Sequence, residues 1–276
     1  MSAPLPDGRS VGILGCGNLG TAITRGLLAA GQPPERVHVS TLRPDGALSI
    51  AAETGVIAHR GNGALVRAAD VVVLSVKPGS VAEACRGIRR DLDEDTVVIT
   101  VAAGIPTAVC REALKRSARV GRAMPNVAAR VRRATTALWL PPEVPEADRA
   151  VVRAVFAAVG EVVDLPDEGL FDVATALVGS GPAFVCVLVE ALADGAVREG
   201  LPRAQALALA ASTVAGTGAL VHETGEHPAI WKDRVTSPGG TTAAGLHAME
   251  SGGFRAAAIE AIAAATRRAR ELGGKR

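Results

Sequence analysis

The chain has 276 residues and a formal net charge of +2, and 48% of its residues are hydrophobic. It can therefore bury a substantial core, and its charge gives no reason to expect binding to nucleic acid or an anionic membrane. Aromatic residues make up only 2% and tyrosine is absent, which further disfavours a protein that stacks single-stranded bases. The four cysteines form no C-x-x-C pair, so neither a zinc site nor a redox pair is indicated.

The sequence predicts neither an export signal nor a membrane span. The N-terminal ten residues lack a basic-then-apolar pattern. The most apolar stretch, residues 183–197, contains Glu190 and Asp194 and is short for a bilayer. Scattered cysteines also fit a reducing compartment. We therefore expect a soluble cytoplasmic protein that does not contact membranes.

Residues 1–165 alternate β-rich and helical runs, which predicts a parallel sheet with crossover helices. The predicted strands are nearly continuous apolar runs, as expected for strands covered on both faces. Five of them occupy residues 10–15, 36–40, 70–76, 95–102 and 118–124, and two more, residues 135–140 and 161–166, flank a helical pattern at 146–159.

Residues 166–276 lack β-type runs and predict an all-helical second domain. The expected helices cover residues 167–178, 182–199, 203–222, 242–250 and 254–272. Residues 183–197 are apolar nearly all the way round, and a domain of this size offers little interior to hide such a helix. A subunit interface in a homodimer is the favoured explanation, and the alternative is the central helix of a monomeric bundle.

A glycine pattern indicates a dinucleotide site. Gly15, Gly17 and Gly20 form G-x-G-x-x-G between the first predicted strand and a helix. The first glycine makes a tight turn, the second lets backbone approach a pyrophosphate, and the third lets the helix pack on the strand. This context makes an incidental glycine-rich turn a poor alternative and predicts a Rossmann-type dinucleotide-binding domain.

The end of the second strand favours NADP(H) over NAD(H). An NAD site usually has Asp or Glu here, whereas this chain has Ser40 followed by Arg43, a hydroxyl and a cation suited to a 2′-phosphate. The alternative is that Arg43 is a solvated loop charge. Lys77 and Pro78 follow the third strand, and Ala102, Ala103 and Gly104 follow the fourth, so they point to the same crevice. Lys77 could equally contact the cofactor or be a surface lysine.

Two Gly/Ser/Pro breaks in the helical domain are the other sites of interest. "GSGPA" (179–183) and "TSPGGTT" (236–242) each place hydroxyls and free backbone N–H groups before a helix, a combination that can bind a carboxylate or phosphate. Plain helix capping is the alternative. The three C-terminal histidines lack metal-ligand spacing, so no metal is expected.

These motifs together resemble the pyrroline-5-carboxylate reductase family. The likeness runs through "GILGCGNLGTAI", "VVLSVKP", "VAAG", "RAMPN", "GSGPAF", "EALADGAVREGLPR" and "HPAIWKDRVTSPGGTTAAGLHAMESGGF", and so covers both domains in order. The resemblance implies NAD(P)H-dependent reduction of a cyclic imine, 1-pyrroline-5-carboxylate, to L-proline. It also implies an interlocked homodimer formed by the helical domains, which can assemble further into a ring.

The resemblance also implies site residues. The cofactor would be lined by Gly15, Gly17, Asn18, Leu19, Gly20, Ser40, Asn62, Val76, Lys77, Pro78, Ala102, Ala103 and Gly104. The substrate would be held by Ser237, Gly240, Thr241 and Thr242, with Glu168 as a nearby acid. Thr242 is the expected hydrogen-bonding partner of the imine nitrogen. Two features depart from the family: Phe184 stands where many relatives have Tyr, and the acid that approaches the substrate amine within "ETGEHPAIWKDR" stays open.

The sequence leaves three rival functions to consider. A hydroxyacid dehydrogenase would need a lysine inside the helical domain, and neither Lys232 nor Lys275 lies in a predicted helix interior. A related reductase acting on another cyclic imine in secondary metabolism is the closer alternative. A cofactor-binding sensor is disfavoured because it would need no anion pocket such as "SPGGTT" facing the nicotinamide.

Overall fold

The computed structural model describes residues 4–115 and 117–274. Their contacts form two compact units. The first contains the chain up to Gly179 and again from Ala265, and the second runs from Ser180 to Ala264. Lys275 lies outside the described residues. The domain boundary at 165/166 stays a prediction; by contacts, residues 166–179 group with the sheet.

One eight-stranded sheet, in the order β3-β2-β1-β4-β5-β6-β7-β8, organises the first unit. All seven strands expected from the sequence are confirmed, and β3 is a two-residue addition. The strands are β1 (Val11–Leu14), β2 (Val37–Ser40), β3 (Ile57–Ala58), β4 (Val71–Leu74), β5 (Val97–Thr100), β6 (Arg119–Pro125), β7 (Ala134–Trp139) and β8 (Gly160–Asp164).

The sheet is parallel, as the sequence predicts, except between two strands. Strands β6 and β7 pair antiparallel, whereas every other neighbouring pair is parallel. The reason is the short connection between them, residues 126–133, since a parallel return needs a dozen residues or more. The helix between β7 and β8 restores the parallel direction.

Helices cover both faces of this sheet. Along β4, Val71 and Val73 pack into one apolar layer, and Val72 and Leu74 pack into the layer on the opposite face. This two-sided burial explains why the central strands are continuous apolar runs. The helices of this unit are α1 (Asn18–Ala29), α2 (Pro44–Thr54), α3 (Asn62–Arg67), α4 (Val81–Ile88), α5 (Thr107–Ala113), α6 (Glu146–Ala157) and α7 (Phe171–Ala174).

The remaining helices confirm the all-α prediction for the C-terminal part. They are α8 (Gly181–Arg198), α9 (Arg203–Thr224), α10 (Pro228–Arg234), α11 (Thr241–Ser251) and α12 (Phe254–Gly274). Helix α10 was not predicted, because seven residues opened by a proline carry too little periodicity to stand out.

The predicted break at "GSGPA" is wrong. Residues Thr175–Ser180 form a π-helical turn, and α8 follows directly with Pro182 in its first turn. No free helix N-terminus is therefore presented to a ligand here.

The second unit has a small core in this single chain. The buried cluster among its described residues consists of Ala193, Ala206 and Ala210, while Val187 on α8 is 64% exposed. By length and composition, the helical stretches Glu168–Arg198 and Arg203–Thr224 could cross a membrane, and only 11% of each apolar window is buried. The helical stretch Glu168–Arg198 is thus longer than residues 183–197, the apolar segment that the sequence predicts to be too short for a bilayer.

We expect Arg132→Gly to stabilise the protein. Among the described residues, Arg132 is the single non-glycine with positive φ (55°), and it ends a 3₁₀ segment, with its N–H bonded to the carbonyls of Ala128 and Ala129. The left-handed conformation costs arginine roughly 1–2 kcal/mol, which glycine would not pay. Glycine in turn costs roughly 0.5–1 kcal/mol, because it makes the unfolded chain more flexible. The free energy of unfolding should rise by about 0.5–1 kcal/mol.

Urea denaturation at fixed protein concentration measures this change. Arg133→Gly is the matched control, because Arg133 is an exposed neighbour without a positive φ. Equal destabilisation by both substitutions would contradict the expected strain at Arg132.

Candidate active site

The glycine turn after β1 is tied to both neighbouring strands. The amide of Gly15 donates to the carbonyl of Ser40 at 2.9 Å, and the amide of Ser75 donates to the carbonyl of Leu14 at 2.8 Å. Gly15 has φ of +103°, and a β-carbon on it would lie 2.3 Å from the carbonyl oxygen of Ser75. Only glycine fits at this position.

The next two glycines have different surroundings. A β-carbon on Gly20 would lie 2.0 Å from the carbonyl oxygen of Gly15, so Gly20 allows α1 to pack against the turn. A β-carbon on Gly17 would meet nothing within 4 Å. Gly17 precedes α1, which begins at exposed Asn18, so open space lies beside the helix N-terminus. Leu19 instead packs partly into the core. These surroundings fit a pyrophosphate above Gly17.

The end of β2 brings two predicted cofactor residues together. The hydroxyl of buried Ser40 donates to Oδ1 of Asn62 at 2.9 Å, at the first turn of α3. Arg43 is exposed and directly precedes α2. The pairing of β2 with β3 also brings exposed Arg60 to this edge, and sequence reasoning missed it because β3 has only two residues.

A histidine pair lies just behind this edge. The rings of His38 and His59 are joined by a hydrogen bond of 3.0 Å between Nδ1 and Nε2. Burial lowers the pKa of both imidazoles, and the charges of His59 and Arg36 lower that of His38 further. These lowered pKa values favour the neutral form of both rings. The rings support the ends of β2 and β3 without adding charge.

The other predicted cofactor residues follow the neighbouring strands β4 and β5. Val76 is partly buried, Lys77 is exposed, and Pro78 begins a 3₁₀ turn in which the amide of Ser80 bonds to the Lys77 carbonyl at 2.9 Å. Ala103 is exposed between buried Ala102 and Gly104. Because β2, β1, β4 and β5 are adjacent and parallel, their carboxyl ends form one continuous edge.

Glu168 is held within the first unit. Its Oε1 accepts from the amide of Thr107 and its Oε2 accepts from the Thr107 hydroxyl, both at 2.7 Å. The buried guanidinium of Arg122 lies 3.7 Å from Oε1. A cavity of about 330 Å³, bounded by Gly104, Arg122 and Glu168 among others, adjoins this group. A larger cavity of 540 Å³ includes Gly17 and Asn18 but otherwise follows α1.

The "TSPGGTT" segment in the second unit does break before a helix, as the sequence predicts. The amide of Gly240 donates to the carbonyl of Ser237 at 3.0 Å, and Gly239 has φ of +69°. Helix α11 then starts at Thr241, and no side chain caps its first turn. The amides of this turn and the hydroxyl of half-buried Thr242 are available to an anionic ligand.

The charged residues ahead of this turn pair with one another. Arg234 forms two hydrogen bonds to the carboxylate of Glu226 and lies 4.5 Å from the ring centre of Trp231. Asp233 pairs with Lys232 at 2.7 Å. His227 caps α10 by accepting from the amide of Ala229. Across residues 4–115 and 117–274, no cluster of three metal-ligating side chains is found.

Comparisons with known proteins match both parts of the chain. Residues 10–104 match the model "NADP oxidoreductase coenzyme F420-dependent", and residues 168–272 match "Pyrroline-5-carboxylate reductase dimerisation". Pyrroline-5-carboxylate reductase of Methanosarcina acetivorans is 38% identical over 98% of this chain and 100% of its own.

Solved structures agree. A pyrroline-5-carboxylate reductase from Coxiella burnetii superposes with a TM-score of 0.92 at 33% identity, covering 96% of this chain and 99% of its own. The Plasmodium falciparum pyrroline carboxylate reductase, solved with NADP bound, has a TM-score of 0.84 at 26% identity, covering 96% and 98%.

The dinucleotide-binding sheet and helical dimerisation region define a homodimeric NAD(P)-dependent oxidoreductase. The chain belongs to the pyrroline-5-carboxylate reductase family. Its reaction is hydride transfer from NAD(P)H to the C=N bond of 1-pyrroline-5-carboxylate, which yields L-proline in proline biosynthesis. The alternative of a related reductase for another cyclic imine is not favoured. Dimerisation also explains the exposed apolar side chains of the second unit.

The contrast between Gly17 and Gly20 generates a prediction. Gly17→Ala should leave stability unchanged, because the added methyl enters open space. It should weaken cofactor binding about tenfold or more, because backbone hydrogen bonds to a charged group are worth roughly 1.5–3 kcal/mol. Gly20→Ala should instead lower stability by roughly 1–3 kcal/mol through overpacking.

Calorimetric titration with NADP⁺ and denaturant unfolding of both variants provide the two measurements. Unchanged cofactor affinity in Gly17→Ala would show that the cofactor does not approach the backbone at this glycine.

Proposed function

We propose that this chain uses NADPH in preference to NADH, and that the turn before α11 binds the carboxylate of 1-pyrroline-5-carboxylate. The observation that carries the proposal is the uncapped turn at Gly239 and Gly240, which leaves first-turn amides of α11 open to an anion. The glycine turn after β1 indicates the cofactor, whereas this second turn indicates the acidic substrate.

The proposed cofactor contacts follow the carboxyl edge of the sheet. Amides at Gly15, Gly17, Asn18, Leu19 and Gly20 would contact the pyrophosphate, and Ser40 with Arg43 and Asn62 would contact the adenosine ribose and its 2′-phosphate. Val76, Lys77 and Pro78 would border the nicotinamide half together with Ala102, Ala103 and Gly104. When bound, NADPH supplies the hydride that reaches the imine carbon.

The substrate-binding residues would act by holding the substrate ring in the orientation that hydride transfer requires. Ser237, Gly240 and Thr241 border the carboxylate, which accepts from hydroxyls and from first-turn amides of α11, while the Gly240 amide stays bonded to the Ser237 carbonyl. The hydroxyl of Thr242 donates a hydrogen bond to the ring nitrogen, where electron density increases as the C=N bond is reduced. Holding two reactants in attack geometry can be worth roughly 7–11 kcal/mol, so few acid–base groups are needed.

The function is tested by following NADPH oxidation at 340 nm with 1-pyrroline-5-carboxylate and a panel of other cyclic imines. The five-membered ring with a carboxylate should give the highest kcat/KM. A cyclic imine without a carboxylate should react much more slowly, because the turn before α11 then has no anion to bind. Equal rates with both compounds would contradict the proposed carboxylate site.

Thr242→Ala should lower kcat by roughly tenfold or more while leaving the affinity for NADPH nearly unchanged. The lost hydrogen bond is worth about 1.5–3 kcal/mol when its acceptor gains charge in the transition state. Thr242→Ser keeps the hydroxyl and should retain most activity. Steady-state kinetics check both variants, and unchanged turnover in Thr242→Ala would refute the role of this hydroxyl.

Arg43→Ala should raise KM for NADPH about tenfold and leave KM for NADH unchanged, because only NADPH carries a 2′-phosphate for the guanidinium. Arg90→Ala is the matched control, since Arg90 is also exposed but lies between α4 and β5, ahead of a strand rather than after one. Equal effects of Arg43→Ala on the two cofactors would rule out the 2′-phosphate contact.

We further propose that the dimers assemble into a ring in the cytoplasm. Exposed apolar side chains occur on several helices of the second unit, including Leu209 on α9 and Ile259 on α12. Burial of these side chains between protomers, rather than in lipid, accounts for the membrane-like hydropathy of α8 and α9. Sedimentation equilibrium measures the particle mass, and a mass that stays at two protomers would exclude the ring.

A further inference from the structure

Glu168 caps a helix that begins sixty-one residues earlier in the chain. Helix α5 starts at Thr107 after Pro106, and Pro106 has no side chain that could cap it. The carboxylate of Glu168 takes this place by accepting from both the amide and the hydroxyl of Thr107 at 2.7 Å. Both of its oxygens are thus engaged within the first unit.

The buried guanidinium of Arg122 lies next to this carboxylate. The Arg122 side chain on β6 is 5% exposed, and its Nη1 lies 3.7 Å from Oε1 of Glu168. Its guanidinium also lies 4.5 Å from the ring centre of Phe171, the first residue of α7. Its Nε and Nη2 have no hydrogen-bond partner among the described residues. Glu168 is therefore both the nearest counter-charge of a buried arginine and the cap of α5.

The capped helix fixes a short loop. Residues 101–106 leave β5 at one end and enter α5 at the other. The loop turns at Gly104, which has φ of +69°, and the amide of Ile105 donates to the carbonyl of Ala102 at 3.4 Å. Long hydrogen bonds of this kind restrain a loop weakly. The two short bonds from Thr107 to Glu168 restrain its far end, beside Ile105, which is buried in the apolar core.

We propose that Glu168 is a positioning residue for hydride transfer, holding the Ala102–Gly104 loop against the nicotinamide through Thr107, and that it does not bind the substrate. This role rests on the proposed function, which places the nicotinamide half beside that loop. It replaces the expectation that Glu168 is a substrate ligand, because each carboxylate oxygen already accepts a hydrogen bond from Thr107 and Oε1 also faces the buried guanidinium of Arg122.

The test uses Thr107→Val in the full-length protein, with Thr107→Ser as the matched control. Valine has the shape of threonine but lacks the hydroxyl, so it removes one of the two bonds and leaves the Glu168–Arg122 pair intact. Serine keeps the bond. Glu168→Gln serves as a second variant that also removes the charge facing Arg122.

We expect Thr107→Val to lower kcat roughly ten- to hundredfold, since small misplacements of reacting atoms have effects of this size. The primary isotope effect with NADPH deuterated at the transferred position should rise toward its intrinsic value. KM for the imine and the affinity for adenosine 2′,5′-bisphosphate, which lacks the nicotinamide half, should stay unchanged. Thr107→Ser should restore both kcat and the isotope effect.

Two results would overturn the positioning role alone. In both cases the proposed function would still be supported by the wild-type activity and by the loss of turnover in Thr242→Ala. One is a raised KM for the imine at unchanged kcat in Glu168→Gln, which would identify a substrate ligand. The other is a parallel loss of all ligand affinities and thermal stability in Thr107→Val with no change in isotope effect, which would identify a purely structural cap. A wild-type protein unable to reduce the imine would overturn both proposals.

Discussion

The hydrogen bond from the amide of Gly15 to the carbonyl of Ser40 is the interaction on which the cofactor edge depends. It links the turn after β1 to the end of β2 while Gly15 adopts a backbone angle closed to other residues. The position of α1 follows from it, because Gly20 lets the helix rest on the Gly15 carbonyl. Ser40 is in turn fixed by Asn62. One left-handed glycine thus sets the relative positions of three chain segments at the carboxyl edge of the sheet.

The two compact units achieve stability in different ways. The first buries apolar side chains on both faces of a twisted sheet, with large fully buried residues such as Phe156 and Phe171. The second buries three alanines in its own cluster and leaves valines and leucines of α8 and α9 exposed. Area-dependent hydrophobic stabilisation cannot hold five helices around so small a cluster. The partner protomer supplies the missing apolar surface.

The sequence was sufficient for the features that depend on periodicity and local backbone chemistry. The apolar runs of β1 to β8, except the two-residue β3, were recognisable because burial on two faces leaves an unbroken hydrophobic run. Gly15 and Gly239 were predicted as turns because few residues can replace glycine there.

The antiparallel β7 was missed because strand direction depends on the length of the 126–133 connection, not on strand composition. "GSGPA" was misjudged because small residues fit a π-helical turn as readily as a loop. The partners of Glu168 are distant in sequence, and no local pattern shows that Thr107 and Arg122 meet it.

The three-alanine cluster of the second unit makes folding of that unit a bimolecular event. When most of the apolar surface of a helical region is buried by a second copy, its folded population follows mass action. Dilution then lowers the dimer population and unfolds α8 and α9 without any change in solvent. The sheet stays folded because it has its own apolar core. The folded fraction of the helical half therefore rises with the concentration of protomers, so that the stability of one copy depends on the abundance of the others.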